Sequence, residues 1–280
     1  MKRPLKVEDD FVAELKICSL RSSSKGNATI VYDEKTKILV DCGISCKTFL
    51  EALECSGFLA EEIDAIVITH EHSDHIKGAG VVARKLGIPV FATRGTWRAM
   101  EKTVGEIPSG CKQVFEEGQP FRVGDITVLS FPIPHDAENP VGFTFVADEC
   151  KASVVTDIGI MTNEIFENIK GSKRVLLESN YDLFMLEAGT YPYELKCRIK
   201  SQTGHLSNED AALAVKELVQ TGTKEIILGH ISPENNYPDL AFETTKLCLF
   251  GHGIKVGEDA RVYVAKRDQV VMPEKEIVNK

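Results

Sequence analysis

His70-Glu71-His72-Ser73-Asp74-His75 packs three imidazoles and the Asp74 carboxylate into one short run, in the pattern HxHxDH. Each of those side chains can ligate a first-row metal. That many ligands in one tight turn rarely surround a single centre. They suit two ions side by side, with ligands shared between them. Two such ions can polarise a scissile bond and generate hydroxide between them. This stretch points to a binuclear metallohydrolase.

The residues leading into it, Ala65-Ile66-Val67-Ile68-Thr69, form a short apolar strand. The run therefore begins at a strand's carboxyl end, where α/β sheets place their sites. The arrangement recurs downstream. His135 follows a strand at Ile126–Phe131, Asp157 follows one at Ala152–Thr156, and His230 follows Ile226-Ile227-Leu228. Five of the seven histidines thus lie at strand ends in register with the HxHxDH turn. The remaining strands are expected at 14–20, 28–32, 37–40, 89–92, 121–123, 141–147 and 174–177, with helices at 47–56, 78–86, 96–102, 163–169 and 206–220. The last helix is the best defined: Ser207 can cap it, with Asp210 near the capping-box position. Its apolar face is Ala211, Leu213, Ala214, Val215, Leu218 and Val219. Strands and helices alternate with no long linker, so one domain is expected over 1–280, with polar tails at 1–13 and 270–280.

The composition is that of a globular chain: 280 residues, 43% hydrophobic and 27% charged, enough to bury a large core. No apolar stretch is long enough to span a bilayer, and the charged N-terminus lacks the apolar run of a secretion signal. Eight cysteines, at 18, 42, 46, 55, 111, 150, 197 and 248, form no CxxC pair. They read as reduced, mostly buried thiols of a cytoplasmic protein. The net charge of −9 argues against a non-specific, electrostatically driven nucleic-acid binder. It leaves room for an enzyme that meets phosphate locally through metals and a few cations.

As a set, these residues resemble the metallo-β-lactamase-fold hydrolases, and the resemblance runs from about residue 14 to residue 268. It implies a four-layer αββα sandwich of the α/β (α+β) class. It also implies a ligand set: His70, His72 and His135 for one ion, Asp74, His75 and His230 for the other, and Asp157 bridging. Asp41, in Leu39-Val40-Asp41-Cys42-Gly43, would orient the ligand loop by hydrogen bonds. Such ligation suits Zn²⁺, Mn²⁺ or Fe²⁺. An Asp at 157 sets the chain apart from true β-lactamases of this fold.

Two further segments bear on the reaction. Gly204-His205-Leu206-Ser207-Asn208 sets His205 at a helix N-terminus, which favours a neutral imidazole unless a carboxylate counters it. Glu178, at the end of a strand, could be that carboxylate. Superfamily members that process tRNA carry a similar pair, assigned to protonating the leaving group. With Arg21–Thr29, Glu178–Asp182 and Tyr191–Lys200, these segments are similar to the YycJ/WalJ-like branch, regarded as 5′→3′ exonucleases on DNA. Arg21 and Lys25 depart from the usual loop there.

The expected function is therefore a dimetal phosphodiesterase on nucleic acid, DNA more than RNA. A bridging hydroxide would attack phosphorus near Asp74, and His205 with Glu178 would assist the leaving group. Ser22, Ser23, Ser24, Asn27 and Asn180 could hold a terminal phosphate. Lys196, Arg198 and Lys200 would face one way on an extended segment and track the backbone; on a helix they would spread over its surface. His252 reads as a surface loop residue. The alternative is a small-molecule hydrolase of the same fold: a cyclic-phosphate phosphodiesterase, lactonase or thioesterase.

Overall fold

The computed structural model describes residues 14–278. A first sheet takes its strands in chain order: β1 (Lys16–Arg21), β2 (Ala28–Tyr32), β3 (Lys37–Val40), β4 (Ala65–Val67), β5 (Val90–Thr93) and β6 (Lys112–Phe115). The second holds β7 (Phe121–Val123), β8 (Ile126–Pro132), β9 (Val141–Ala147), β10 (Cys150–Val155), β11 (Arg174–Glu178), β12 (Glu225–Gly229) and β13 (Arg261–Val264), again in order across the sheet. Each sheet is half meander and half parallel. Strands β1 to β3 pair antiparallel and β3 to β6 parallel. Strands β7 to β10 pair antiparallel and β10 to β13 parallel.

The layering follows from side-chain alternation along strands buried on both faces. On β3, Ile38 and Val40 point into a core shared with Phe143, Phe145, Val154 and Leu176 of the other sheet. Leu39 between them points away, into a core with Phe49 and Leu53. On the second sheet Leu176 and Ile227 face inward, while Val175, Leu177, Ile226 and Leu228 face an outer core. Helices α1 (Cys46–Ser56), α2 (Ser73–Ile76), α3 (Ala79–Leu86) and α4 (Arg94–Val104) belong to the first half, and Phe49, Val82, Trp97 and Met100 among them cover its sheet. Helices α5 (Asn163–Ile169), α6 (Leu183–Ala188), α7 (Tyr193–Ile199), α8 (Asn208–Gln220) and α9 (Pro238–Gly251) belong to the second, where Ile165, Val215, Leu218 and Leu249 cover the other face. The expected αββα sandwich is what forms. Phe143 and Phe145 are fully buried between the sheets, roughly 1.5–3 kcal/mol each by transfer alone.

Several expectations need correction. The segment 270–280 is not a simple tail. Val271 exchanges backbone hydrogen bonds with Ser19 on the open edge of β1, and α10 (Pro273–Val278) follows. An unpaired edge strand recruits whatever strand-competent segment can reach it. The proposed tail at 1–13 lies outside the described residues. Of the two readings left open for Lys196, Arg198 and Lys200, the helical one holds: Lys196 and Arg198 lie on α7, entered through Pro192, and Lys200 is its C-cap. Helix α8 starts at Asn208 rather than 206; Ser207 caps it as expected, accepting from Asp210 N. Leu213, assigned to its buried face, is 47% exposed. The thiols are free, but only Cys18, Cys42 and Cys150 are buried, and Cys55 and Cys197 are exposed. No helix is long and apolar enough to cross a membrane among the described residues.

Candidate metal centre

Three residues that end strands share an uncommon backbone. Asp41 after β3, Asp157 after β10 and His230 after β12 have φ of 58°, 59° and 54°. Side chains other than glycine rarely adopt this left-handed conformation, and it persists only where surrounding structure holds it. Here it turns each side chain from the strand direction toward the gap between the sheets' carboxyl ends. The turn after β4 carries His70 and His72 into the same gap, and α2 adds Asp74 and His75.

The approach of α2 to the first sheet is set by Gly43. A Cβ there would lie 1.6 Å from the Asp74 carbonyl oxygen. Without one, Cys42 N donates to His75 O and Asn27 N to Asp74 O, each at 2.8 Å.

Four groups of ligand atoms come within coordinating reach of one another: His70, His72 and His135; Asp74, His75 and His230; His70, His75 and Asp157; and Asp157, Glu178, His205 and His230. Asp157 belongs to two of them, with Oδ2 3.1 Å from His75 Nε2 and Oδ1 3.2 Å from His230 Nδ1. Asp74 Oδ2 stands 3.4 Å from both His75 Nε2 and His230 Nε2.

The hydrogen bonds assign the tautomers. Asp41 accepts from Thr69 N and Thr69 Oγ1 at 2.8 Å and from His75 Nδ1 at 2.7 Å. With its proton given to Asp41, the Thr69 hydroxyl accepts from His70 Nδ1 at 3.0 Å. His135 Nδ1 donates to Gly204 O at 3.3 Å, and His230 Nδ1 to Glu178 Oε1 at 3.0 Å. Each of these rings is thereby bonded outward through Nδ1, and its Nε2 turns inward. His72 is the reverse, presenting Nδ1 at 3.2 Å from His135 Nε2. His70 Nε2, His230 Nε2 and Asp157 Oδ2 are buried with no hydrogen-bond partner. Buried polar atoms are ordinarily paired. Unpartnered ligand atoms converging from this donor set fit divalent metal, and the outer partners are those that ligating histidines require.

The electrostatics agree. Burial alone would raise the Asp157 carboxyl, but the His230 and His75 charges hold it well below the usual range. Burial would lower His230, yet Asp157, Asp74 and Glu178 push it up to about 10, and His75 is raised in the same way. In metal-free protein, protons on these rings stand where cations would sit. Burial keeps His70 well below its ordinary value, aided by the His75 charge.

Glu178 and His205 are brought together. Glu178 Oε1 accepts from His205 Nδ1 at 2.8 Å, and Oε2 accepts from Ile158 N at 2.7 Å. Burial would raise this carboxyl, but its bond to His205 lowers it. Gly204 makes the approach possible, since a Cβ there would strike the Ile199 carbonyl.

Of the other expected residues, Ser22 and Ser23 are buried and committed internally. Ser22 Oγ accepts from His230 N at 2.8 Å and bonds Asn27, and Ser23 Oγ accepts from Lys25 N. Ser24 is exposed and accepts from Asn180 Nδ2 at 3.1 Å, leaving it the accessible hydroxyl of that loop. Asn27 Nδ2 reaches 3.2 Å from His75 Nε2. Lys196 caps the carbonyls of Glu187 and Gly189, and Lys200 pairs with Glu187, so both serve the α6–α7 contact. Arg198 reaches Asp136, next to His135. Sequence reasoning missed Asp136, although its place beside His135 was a signal. It also missed Thr69 and the buried Asn208–Asn236 pair, which clamps Ser179 and Asn180; nothing local marks an amide for that duty. His252 is exposed at the end of α9.

The profile of the beta-lactamase superfamily domain matches residues 36–231. The chain is 40% identical to exodeoxyribonuclease YycJ of Bacillus anthracis over 244 residues, 87% of this chain and 92% of that protein. It is 41% identical to exodeoxyribonuclease WalJ of Streptococcus pneumoniae over 251 residues, 89% and 93% of the two chains. Its fold is similar to that of the metallo-β-lactamase fold protein YhfI of Bacillus subtilis, with a TM-score of 0.67 at 17% identity over 92% of this chain and 99% of that one.

Proposed function

The chain belongs to the β-lactamase superfamily, in the family of the YycJ and WalJ exodeoxyribonucleases, and from that premise we propose that it removes nucleotides from the 5′ end of DNA with two divalent ions. It is a metal-dependent hydrolase. His70, His72 and His135 would hold one ion, Asp74, His75 and His230 the other, and Asp157 would bridge them. Bound there, Zn²⁺, Mn²⁺ or Fe²⁺ supplies Lewis acidity and activates water.

The chain's own groups do the rest. Asp41, Thr69, Gly204 O and Glu178 hold four imidazoles in the tautomer that turns Nε2 inward. Ionised Glu178 has no proton to give, so His205 donates to it through Nδ1 and keeps Nε2 for the substrate. As an imidazolium, His205 would pass the Nε2 proton to the departing 3′ oxygen, leaving a 5′-phosphate on the shortened strand. The observation that carries this reading is the Glu178–His205 bond at 2.8 Å beside the ligand cluster. Ligand binding alone does not need it, whereas an alkoxide leaving group does.

The test is a time course with Mn²⁺- or Zn²⁺-loaded protein on single-stranded and duplex DNA and RNA, labelled at one end, with and without a 5′-phosphate. We expect mononucleotides from the 5′ end of DNA, abolished in His72→Ala. No cleavage of any polymer by metal-loaded protein would move the reading to a small-molecule hydrolase.

A further inference from the structure

The ligand cluster is covered unevenly. The side chains of His75, His135, Asp157 and His230 are at most 2% exposed, whereas His72 is 31% exposed. Beside His72 stands Asp136, 36% exposed, with Oδ1 3.5 Å from His135 Nε2 and 4.0 Å from His72 Nε2. Its other oxygen accepts from Arg198 Nε at 2.6 Å. That bond engages Nε alone. Among the described residues no hydrogen bond occupies the two terminal nitrogens of Arg198, whose side chain is 54% exposed.

We propose that Asp136 is a positioning residue that aims the Arg198 guanidinium at a backbone phosphate of the bound strand, next to the scissile one. The inference rests on the phosphodiesterase reading. The Asp136 carboxylate lies between Arg198 and the imidazoles, so the guanidinium stands farther out than a group on the reacting phosphate would. Its free edge presents two N–H donors in the planar fork that phosphate oxygens accept. Neighbouring cations are otherwise engaged: Lys196 and Lys200 serve α6, and Lys25 pairs with Glu234. A chain of net charge −9 gains little from its overall field in holding DNA, so a held local cation matters more.

The test measures KM and kcat on 5′-phosphorylated single-stranded DNA across a salt series, together with bound metal, for wild type, Arg198→Ala, Arg198→Lys, Asp136→Asn and a distant control, Lys35→Ala. Arg198→Ala and Asp136→Asn should each raise KM by about tenfold, with the loss in KM rather than kcat and metal content unchanged. The log–log salt dependence of KM should become shallower by about one in Arg198→Ala, the signature of one lost phosphate contact. Arg198→Lys should recover only part of the loss, and the control should match wild type. Metal loss in Asp136→Asn would make Asp136 a ligand and overturn the proposal. So would native KM and salt dependence in both variants while wild type degrades DNA. Wild type that cuts no DNA would remove the nuclease reading itself, and this inference with it.

Discussion

His205 donates through Nδ1 to Glu178 Oε1 at 2.8 Å, and the same oxygen accepts from His230 Nδ1 at 3.0 Å. One buried carboxylate therefore orients both the imidazole assigned to the leaving group and an imidazole of the ligand cluster. Removing either partner of the first pair should have separable consequences.

His205→Ala should keep its metal and fold and lose about 10²–10⁴-fold in kcat, the usual worth of a general acid. Glu178→Gln should lose activity and also bind metal more weakly, because its single amide oxygen cannot serve His205, His230 and Ile158 N together. Single-turnover rates and metal analysis on both variants check this. A near-native rate in His205→Ala removes the general-acid role.

Asp157→Asn should weaken both ions together, since Asp157 reaches His135 of one ligand set and His75 and His230 of the other. Titration of the variant with Mn²⁺ would show both stoichiometric steps shifted. Loss of one step with the other intact would mean that Asp157 does not bridge.

Asp41→Asn and Thr69→Val touch no proposed ion, yet each should cost about 10- to 100-fold in metal affinity. Asp41 holds His75 and Thr69, and Thr69 holds His70. Asn at 41 tolerates the left-handed backbone, so a loss there reports hydrogen bonding rather than strain. Equal affinity in both variants would show the ligands to be held by packing alone.

Metal binding should release protons. In metal-free protein His230 is raised to about 10, so its ring is imidazolium near neutral pH, and the surrounding carboxylates raise His75 in the same direction. The sign is that of a raised histidine: its proton's stabilising contribution is full below the unfolded value of about 6.5 and is lost as pH rises through about 10. Metal affinity should therefore rise with pH across that window. Calorimetric titration at about pH 8 in buffers of different ionisation enthalpy checks it; an enthalpy independent of buffer is the contrary result.

Gly43→Ala should destabilise the chain by about 3 kcal/mol or more, because the added Cβ meets the Asp74 carbonyl at 1.6 Å. The backbone must separate, breaking Cys42 N to His75 O and Asn27 N to Asp74 O. Thermal unfolding of the metal-free variant against wild type measures it, and an unchanged midpoint would show that α2 is free to shift.

Legibility in the sequence tracked how local the signal was. The strands β2, β3, β7 and β9 carry apolar runs between turn residues and were placed to the residue. Helices α6, α7 and α9 were not anticipated. Phe184 and Tyr193 lie exposed on α6 and α7, so no clean apolar face marked those helices. The alternation of Lys196, Arg198 and Lys200 left extended and helical readings open; Pro192 starts a helix there, and two of the three cations hold its neighbour.

By itself the sequence determined the alternation of strands and helices and the placement of ligand-type residues at strand ends, while the four-layer sandwich was implied by the family resemblance. Alternating burial and strand-end placement depend on contacts close along the chain, which periodicity and spacing report. Tertiary structure alone decided which nitrogen of each imidazole turns inward, that Glu178 serves two histidines, that Ser22 and Ser23 are spent on the His230 loop, and that Asp136 holds Arg198 at the exposed edge of the cluster. Those are orientations between residues far apart in sequence. They are set by the left-handed turns at Asp41, Asp157 and His230 and by the close approach that Gly43 allows, and no local pattern encodes them.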